Sequence, residues 1–257
     1  MTASTALLSL RAREIARTWR LWVLPTVIVF LAATGPVIVR FTREILAAAL
    51  GAEEAAAIPW PDPTASDASA QWASDLTQLV VFVVVVMAAG AINAEVRSGV
   101  AAILLVKPVS RTTYVLTHAA SLLGFIALAG LLGALVSWAA TSLTFGAVDL
   151  APTLGATAVW VVLAAVLVAA SLLASAAIDA VAGAAGVGIG VYFLLALLSI
   201  VPHFSDYTPA GLIRVTTEVA TGTQQLDATL WWPVGTGMLL TMGLIAAAVL
   251  VFRRREI

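Results

Sequence analysis

Residues 93–111 read Asn-Ala-Glu-Val-Arg-Ser-Gly-Val-Ala-Ala-Ile-Leu-Leu-Val-Lys-Pro-Val-Ser-Arg, and the rest of the chain is read outward from this stretch. It carries Glu95, Arg97, Lys107 and Arg111, with an uncharged apolar run on either side. A short charged segment bearing Gly and Pro between two such runs is a tight loop at a membrane surface. Its centre, 101–106, is apolar and helix-compatible, but far shorter than the ~20 residues that cross a bilayer. Gly99 can end the incoming helix, and Pro108 disfavours helix at Lys107. The stretch reads as a short surface helix held between two transmembrane helices.

Composition agrees. The chain is 61% hydrophobic and 11% charged, where soluble domains are about half apolar and a quarter charged. Windows free of charge at 21–39, 76–94, 112–148, 150–178, 180–205 and 228–252 each hold one span; 112–148 lacks a turn that would split it in two. The expected fold class is an all-α polytopic membrane protein of one domain, 1–257. Its spans lie near 21–40, 75–94, 113–140, 153–176, 181–201 and 230–252, and its outer loops at 41–74 and 202–229. There is no Cys, so disulfides and thiol chemistry are excluded.

Residues 4–20 read as an interfacial helix, with Leu8, Ala12, Ile15 and Trp19 on one face and Arg13, Arg17 and Arg20 opposite. The same arginines also serve as topological signals. Four Arg and a Glu before the first apolar run, with no A-x-A-like site soon after it, predict that no signal peptide is cleaved. With the N-terminus inside, ten of the 13 basic residues lie on the inner side, against Arg40, Arg43 and Arg214 outside. That bias predicts both termini in the cytoplasm and 95–111 as a cytoplasmic loop. Asp179 marks a second, shorter inner turn.

Trp60 and Trp72 read as interface anchors. The fifth span contains Gly186-x-x-x-Gly190, a packing signal without a named partner. Residues 202–222 combine two Pro with an amphipathic piece at 212–219, which suits a short outer helix before the last span.

Absent chemistry narrows the function. There is no G-x-x-x-x-G-K-[ST], no H-E-x-x-H and no G-x-S-x-G. His118 reads as a hydrogen-bonded or snorkelling side chain rather than a ligand, and His203 lies on the other side of the membrane. Every acid falls at an expected span edge or in a loop, which argues against an ion-driven carrier or an intramembrane protease. The chain is therefore read as non-enzymatic, with no cofactor, metal or nucleic acid of its own.

Glu95-Val96-Arg97-Ser98-Gly99, then Leu104-Leu105, then Lys107-Pro108-Val109-Ser110-Arg111 resembles the first cytoplasmic loop of ABC-2-type permeases, the membrane subunits of ATP-binding-cassette transporters. The layout is also similar: an interfacial N-terminal helix, six spans, a large first outer loop and a Pro-bearing segment before the last span. Val100 stands where Thr usually follows the Gly, and His118 where a Lys often opens the third span. The resemblance implies a permease in the cytoplasmic membrane, an exporter more than an importer. Two copies of a separate cytoplasmic ATPase would bind Mg-ATP, and a second permease copy would complete the pathway. It implies that Glu95, Arg97, Ser98, Gly99, Leu104, Lys107, Pro108, Ser110 and Arg111 couple to that ATPase. The competing readings are an ion-coupled secondary carrier and a non-transport membrane scaffold.

Overall fold

The structure, a computed structural model, describes residues 3–53, 61–106, 109–223 and 228–255. It is helical throughout, with no strand among the described residues. Among the described residues six segments are long and apolar enough to cross a membrane: Arg20–Arg40, Ala65–Arg97, Arg111–Phe145, Ala151–Ala177, Val181–Leu198 and Leu230–Arg254. The protein is thus a multi-pass helical membrane protein.

α1 (Ala3–Arg17) leads through a turn at Thr18 into α2 (Arg20–Arg40), which runs unbroken through Pro25 and Pro36. α3 (Thr42–Leu50) follows and stops at Gly51, whose φ of +101° lies in a region that a side chain disfavours. The second span begins earlier than its charge-free window. α4 (Ala65–Asp75) starts from a capping box in which Thr64 Oγ1 accepts from the Asp67 N–H and Asp67 accepts from the Thr64 N–H. Ten residues assigned to an outer loop are therefore helical. The window stopped at Asp75, but this carboxylate is only 6% exposed and accepts from Gln71 Nε2 at 2.8 Å. A charge inside the helix had been read as its end.

After Asp75 the helix loosens into a π-helical turn, Leu76–Val80, and then continues as α5 (Val81–Ala89). A π turn shifts the carbonyls out of the regular ladder. Here the Leu76 carbonyl accepts from Trp160 Nε1 at 2.8 Å. One turn away, Trp72 Nε1 donates to Thr157 Oγ1 at 3.1 Å. Both indoles are buried, so their N–H groups need partners and find them across the helix boundary. Trp72 therefore sits inside the bundle; the interface-anchor reading does not hold for it. Trp60 lies outside the described residues.

Two short helices, α6 (Asn93–Arg97) and α7 (Val100–Leu105), precede α8 (Arg111–Phe145). Ser110 caps α8 by accepting from the Thr113 N–H at 3.0 Å. Then come α9 (Ala151–Ala177), α10 (Val181–Leu198), α11 (Pro202–Tyr207), a 3-10 turn at Pro209–Gly211, α12 (Leu212–Thr221) and α13 (Ala228–Arg254). α9 is the most buried span and packs against α5, α8, α10, α12 and α13. Its many Ala and Ser residues let those neighbours come close.

Glycines mark the tightest crossings. A Cβ on Gly133 of α8 would lie 2.6 Å from the Trp72 ring and also overlap Ile28, so α2, α4 and α8 meet at that point. Gly188 of α10 is pressed against Val85 and Ser171 in the same way. Gly186 and Gly190, the pair singled out in sequence, instead face open space on the outside of α10.

Candidate functional site

Charge is gathered at the two ends of this bundle. One end holds α1, α6, α7, the start of α8 and the end of α13, and carries most of the basic residues. The other holds Arg43–Asp62 at 3.0 Å and a network in which Arg214 reaches Ser205, Asp206 and Glu218. The basic end is where the chain builds a buried polar cluster.

The cluster starts on α1. The residues that α1 buries are Leu7, Arg11 and Ile15, spaced four apart on one face. Arg11 is 3% exposed although it is a cation. It can be buried because Glu95 receives it: one guanidinium nitrogen donates to Glu95 Oε1 and the other to Glu95 Oε2 at 2.8 Å. This two-pronged geometry is the strongest that an Arg–carboxylate pair adopts. Glu14, one turn on, takes a further bond from Arg11 at 2.8 Å and lies 3.6 Å from Arg20. Burial alone would lower the pKa of Arg11, but bonding and attraction from Glu95 and then Glu14 outweigh it and leave that pKa raised.

α8 completes the cluster. Tyr114 Oη donates to Glu95 Oε2 at 2.5 Å, and its ring lies under the Arg11 guanidinium at 5.3 Å. Tyr114 also stacks on Phe252 of α13, with centroids 5.0 Å apart and planes 9° from parallel. His118, one turn further, meets Tyr114 edge-on at 4.8 Å. Its Nε2 stands 3.5 Å from Glu95 Oε2, too long for a good hydrogen bond. Arg11 Nε, His118 Nε2 and both polar atoms of the Asn93 side chain are buried without a hydrogen-bond partner.

Two further arginines fasten helix ends here. Arg111 Nη1 donates to the carbonyls of Phe252, Arg253 and Arg255, at 3.1, 3.1 and 2.5 Å. A cation at a helix C-terminus satisfies free carbonyls and opposes the negative end of the dipole. Arg255 does the same for α9: it reaches the carbonyls of Ser175 and Ala176, at 3.3 and 2.9 Å, and pairs with Asp179. Ser175 Oγ in turn accepts from the N–H groups of Ile92 and Asn93, at 3.2 and 3.0 Å, where α6 begins.

The loop read from sequence is therefore pinned at both ends and open in the middle. Glu95 lies inside the bundle end, and Arg111 is committed to α13. Gly99, with φ of +75°, starts α7 in a conformation that suits glycine. Ala101 is buried and Leu104 packs on the core, whereas Val100, Ile103 and Val106 are 41%, 69% and 88% exposed. Arg97 and Ser98 are exposed beside them, and Arg97 has no ion pair among the described residues. Ser110 serves as a helix cap and Asp179 as the partner of Arg255. Lys107 and Pro108 lie outside the described residues. Sequence reasoning missed Arg11, Tyr114, Ser175 and Arg255. For Arg11 there was a signal, since it interrupts the Leu7–Ile15 stripe and has Glu14 one turn on.

This end of the molecule defines the class: a six-span helical membrane protein whose loop between the second and third spans is anchored by a buried arginine–glutamate pair and offers an apolar stripe outward. The chain belongs to the family described as "Protein of unknown function (DUF2705)", which matches residues 56–257 and so takes in five of the six spans and the loop. No curated protein matches the chain.

Proposed function

We propose that this protein is the membrane-spanning subunit of an ATP-binding-cassette exporter of the ABC-2 type. In this reading α6 and α7 dock on a separate cytoplasmic ATPase that binds Mg-ATP, and a second permease copy completes the path. The observation that carries it is the exposed stripe Val100, Ile103 and Val106 on a segment whose two ends are locked to the bundle. Apolar side chains at a charged, water-facing bundle end suit a partner's pocket. A rigidly anchored lever passes movement of that partner to α1, α8 and α13 together. The resemblance of residues 95–111 to the first cytoplasmic loop of ABC-2 permeases supports the same reading.

Coupling is tested by Gly99→Pro. Proline fixes φ near −65° and has no N–H, whereas Gly99 has φ +75° and donates to the Val96 carbonyl at 3.2 Å. The variant is expected to insert and purify but to lose stimulation of the ATPase by at least about tenfold, equivalent to ~1.4 kcal/mol of coupling. Normal stimulation and export would remove the lever from the reading.

Orientation has its own test, since the chain lacks Cys. Ser66 and Ser98 are both exposed, at opposite ends of the second span. Ser66→Cys is expected to react with a membrane-impermeant thiol reagent on intact cells, and Ser98→Cys only after permeabilisation. The reverse pattern places the stripe outside and ends the ATPase proposal.

A second reading, an ion-coupled carrier, draws on Asp75. It lies within a membrane-spanning helix, is buried, and has Gln71 as its bonded neighbour. Intramembrane acids often carry ions or protons. Transport that follows an imposed ion gradient without ATP, and stops in Asp75→Asn, selects this reading over the first.

A further inference from the structure

α8 and α13 are joined at the basic end, where Tyr114 stacks on Phe252 and Arg111 holds the last carbonyls of α13. Beyond this joint, toward the middle of the spans, they leave a groove of about 520 Å³ on the outside of the bundle. Met242, Ala246, Val249 and Leu250 of α13 form one wall, and Thr112 and Leu116 of α8 the other. Met242, Leu250 and Leu116 are 59%, 57% and 46% exposed, so the groove opens away from the bundle. From Met242 to Leu250 it rises about 12 Å, close to the acyl depth of one leaflet, which is half of a hydrocarbon layer of ~30 Å. The same exposed face of α13 continues through Met238 and Gly235 to Trp231. From Trp231 to Arg253 the helix rises about 33 Å. Trp at one end and Arg at the other mark the two edges of the bilayer and put the groove in the leaflet at the basic end.

Helical spacing decides what lies at the end of this groove. Met242, Ala246, Val249 and Arg253 follow one another at steps of four, three and four, so Arg253 stands on the groove-lining face one turn beyond Val249. Arg254 stands in the same relation to Leu250. Both arginines are exposed, and neither has an ion pair among the described residues. On the other wall, Thr112 belongs to the first turn of α8, the positive end of that helix. An apolar groove one leaflet deep that ends in positive charge matches an acyl chain with an anionic headgroup. It does not match a second copy related by a two-fold axis along the membrane normal, which would set Arg253 and Arg254 against their own counterparts. Each such cation favours an anionic over a neutral headgroup by about fivefold.

We propose that this groove binds a glycerophospholipid with an anionic headgroup, taken from the leaflet at the basic end. One acyl chain lies between α8 and α13 along Ala246 and Val249, while the phosphate faces Arg253 and Arg254. The site does not depend on the transport reading. It requires only that the spans sit in a bilayer, and a lipid held there bridges α8 and α13 beside the joint that Arg111 makes.

The test uses the full chain in nanodiscs of equal phosphatidylglycerol and phosphatidylcholine with the same acyl chains. After transfer to mild detergent, retained lipid is counted by native mass spectrometry. The expected result is one phosphatidylglycerol per chain, preferred over phosphatidylcholine by about twenty-five-fold, from two arginines at about fivefold each. Arg253→Gln with Arg254→Gln, which keeps the carbonyls that Arg111 holds, is expected to remove the preference but not the retention. Ala246→Trp, which puts a ring into the groove, is expected to remove the retention of both lipids. Equal retention of the two lipids by the unaltered protein, an unchanged preference in the double arginine variant, or full phosphatidylglycerol retention by Ala246→Trp overturns the site. So does a lipid-free dimer that Ala246→Trp dissociates, which assigns the face to a second copy. Should Ala246→Trp fail to fold, Ala246→Leu takes its place. It must lower phosphatidylglycerol retention, and unchanged retention counts against the site.

Discussion

Glu95→Ala is expected to destabilise the protein by about 3–5 kcal/mol, the cost of leaving one partner of a buried pair uncompensated. Arg11 is 3% exposed and cannot reach water without moving α1 away from α8. Tyr114 loses its acceptor at the same time. The measurement is unfolding by SDS titration in mixed micelles, followed by circular dichroism. Arg11→Met combined with Glu95→Leu removes both charges and keeps apolar volume, so it should be much less harmful than either single truncation. Arg11→Met and Glu95→Leu made singly are each expected to cost more than the two together, so the shortfall from additivity exceeds the cost of either change alone. If the two changes simply add, Arg11 and Glu95 do not form a working pair and α1 is held by other contacts.

Trp160→Ala has the other large expected effect, again about 3–5 kcal/mol for a truncated core aromatic. Trp160 is fully buried on the central helix, and its N–H occupies the Leu76 carbonyl in the π turn. Trp160→Phe separates the two roles. It keeps an aromatic ring but leaves that carbonyl without its donor, which costs about 1–3 kcal/mol. The same SDS titration measures both variants. Equal losses would mean that the indole N–H matters more than packing. A costless Trp160→Phe would mean that the π turn satisfies its own carbonyl.

The spans were legible because long uncharged runs leave few alternatives to crossing a membrane, and six such helices are present among the described residues. Charge misled at two places for one reason: a charged residue was taken to be a wetted one. Asp75 was read as the edge of a span, yet Gln71 supports it inside the helix. Arg11 was counted as a topological signal, yet it belongs to the buried face of α1. Of the apolar face expected there, Leu8, Ala12, Ile15 and Trp19, the first three line a groove between α1 and α8, whereas Trp19 lies beyond the end of α1 and is exposed. No local pattern could have joined Arg11 to Glu95, because 84 residues separate them. Arg111 was different. A cation at a helix N-terminus is unfavourable to the dipole, so its presence there calls for topology or a contact, and the carbonyls of Phe252, Arg253 and Arg255 supply a contact. The stripe on α7 became visible only when Ala101 and Leu104 were seen to face inward, leaving Val100, Ile103 and Val106 outside.

The same long separations set a schedule for biosynthesis. Arg11 leaves the ribosome 84 residues ahead of Glu95, so at about 5–20 residues per second it waits roughly 4–17 s for its counter-charge. During that interval Arg11 has only Glu14, on α1 itself, as an acidic partner, and α1 is better placed in the headgroup layer than against the first span. Arg255 comes 160 residues after Glu95, and its ties to the end of α9 and to Asp179 form only once α13 has been made. The basic end is therefore fastened later than the spans that it holds together are inserted.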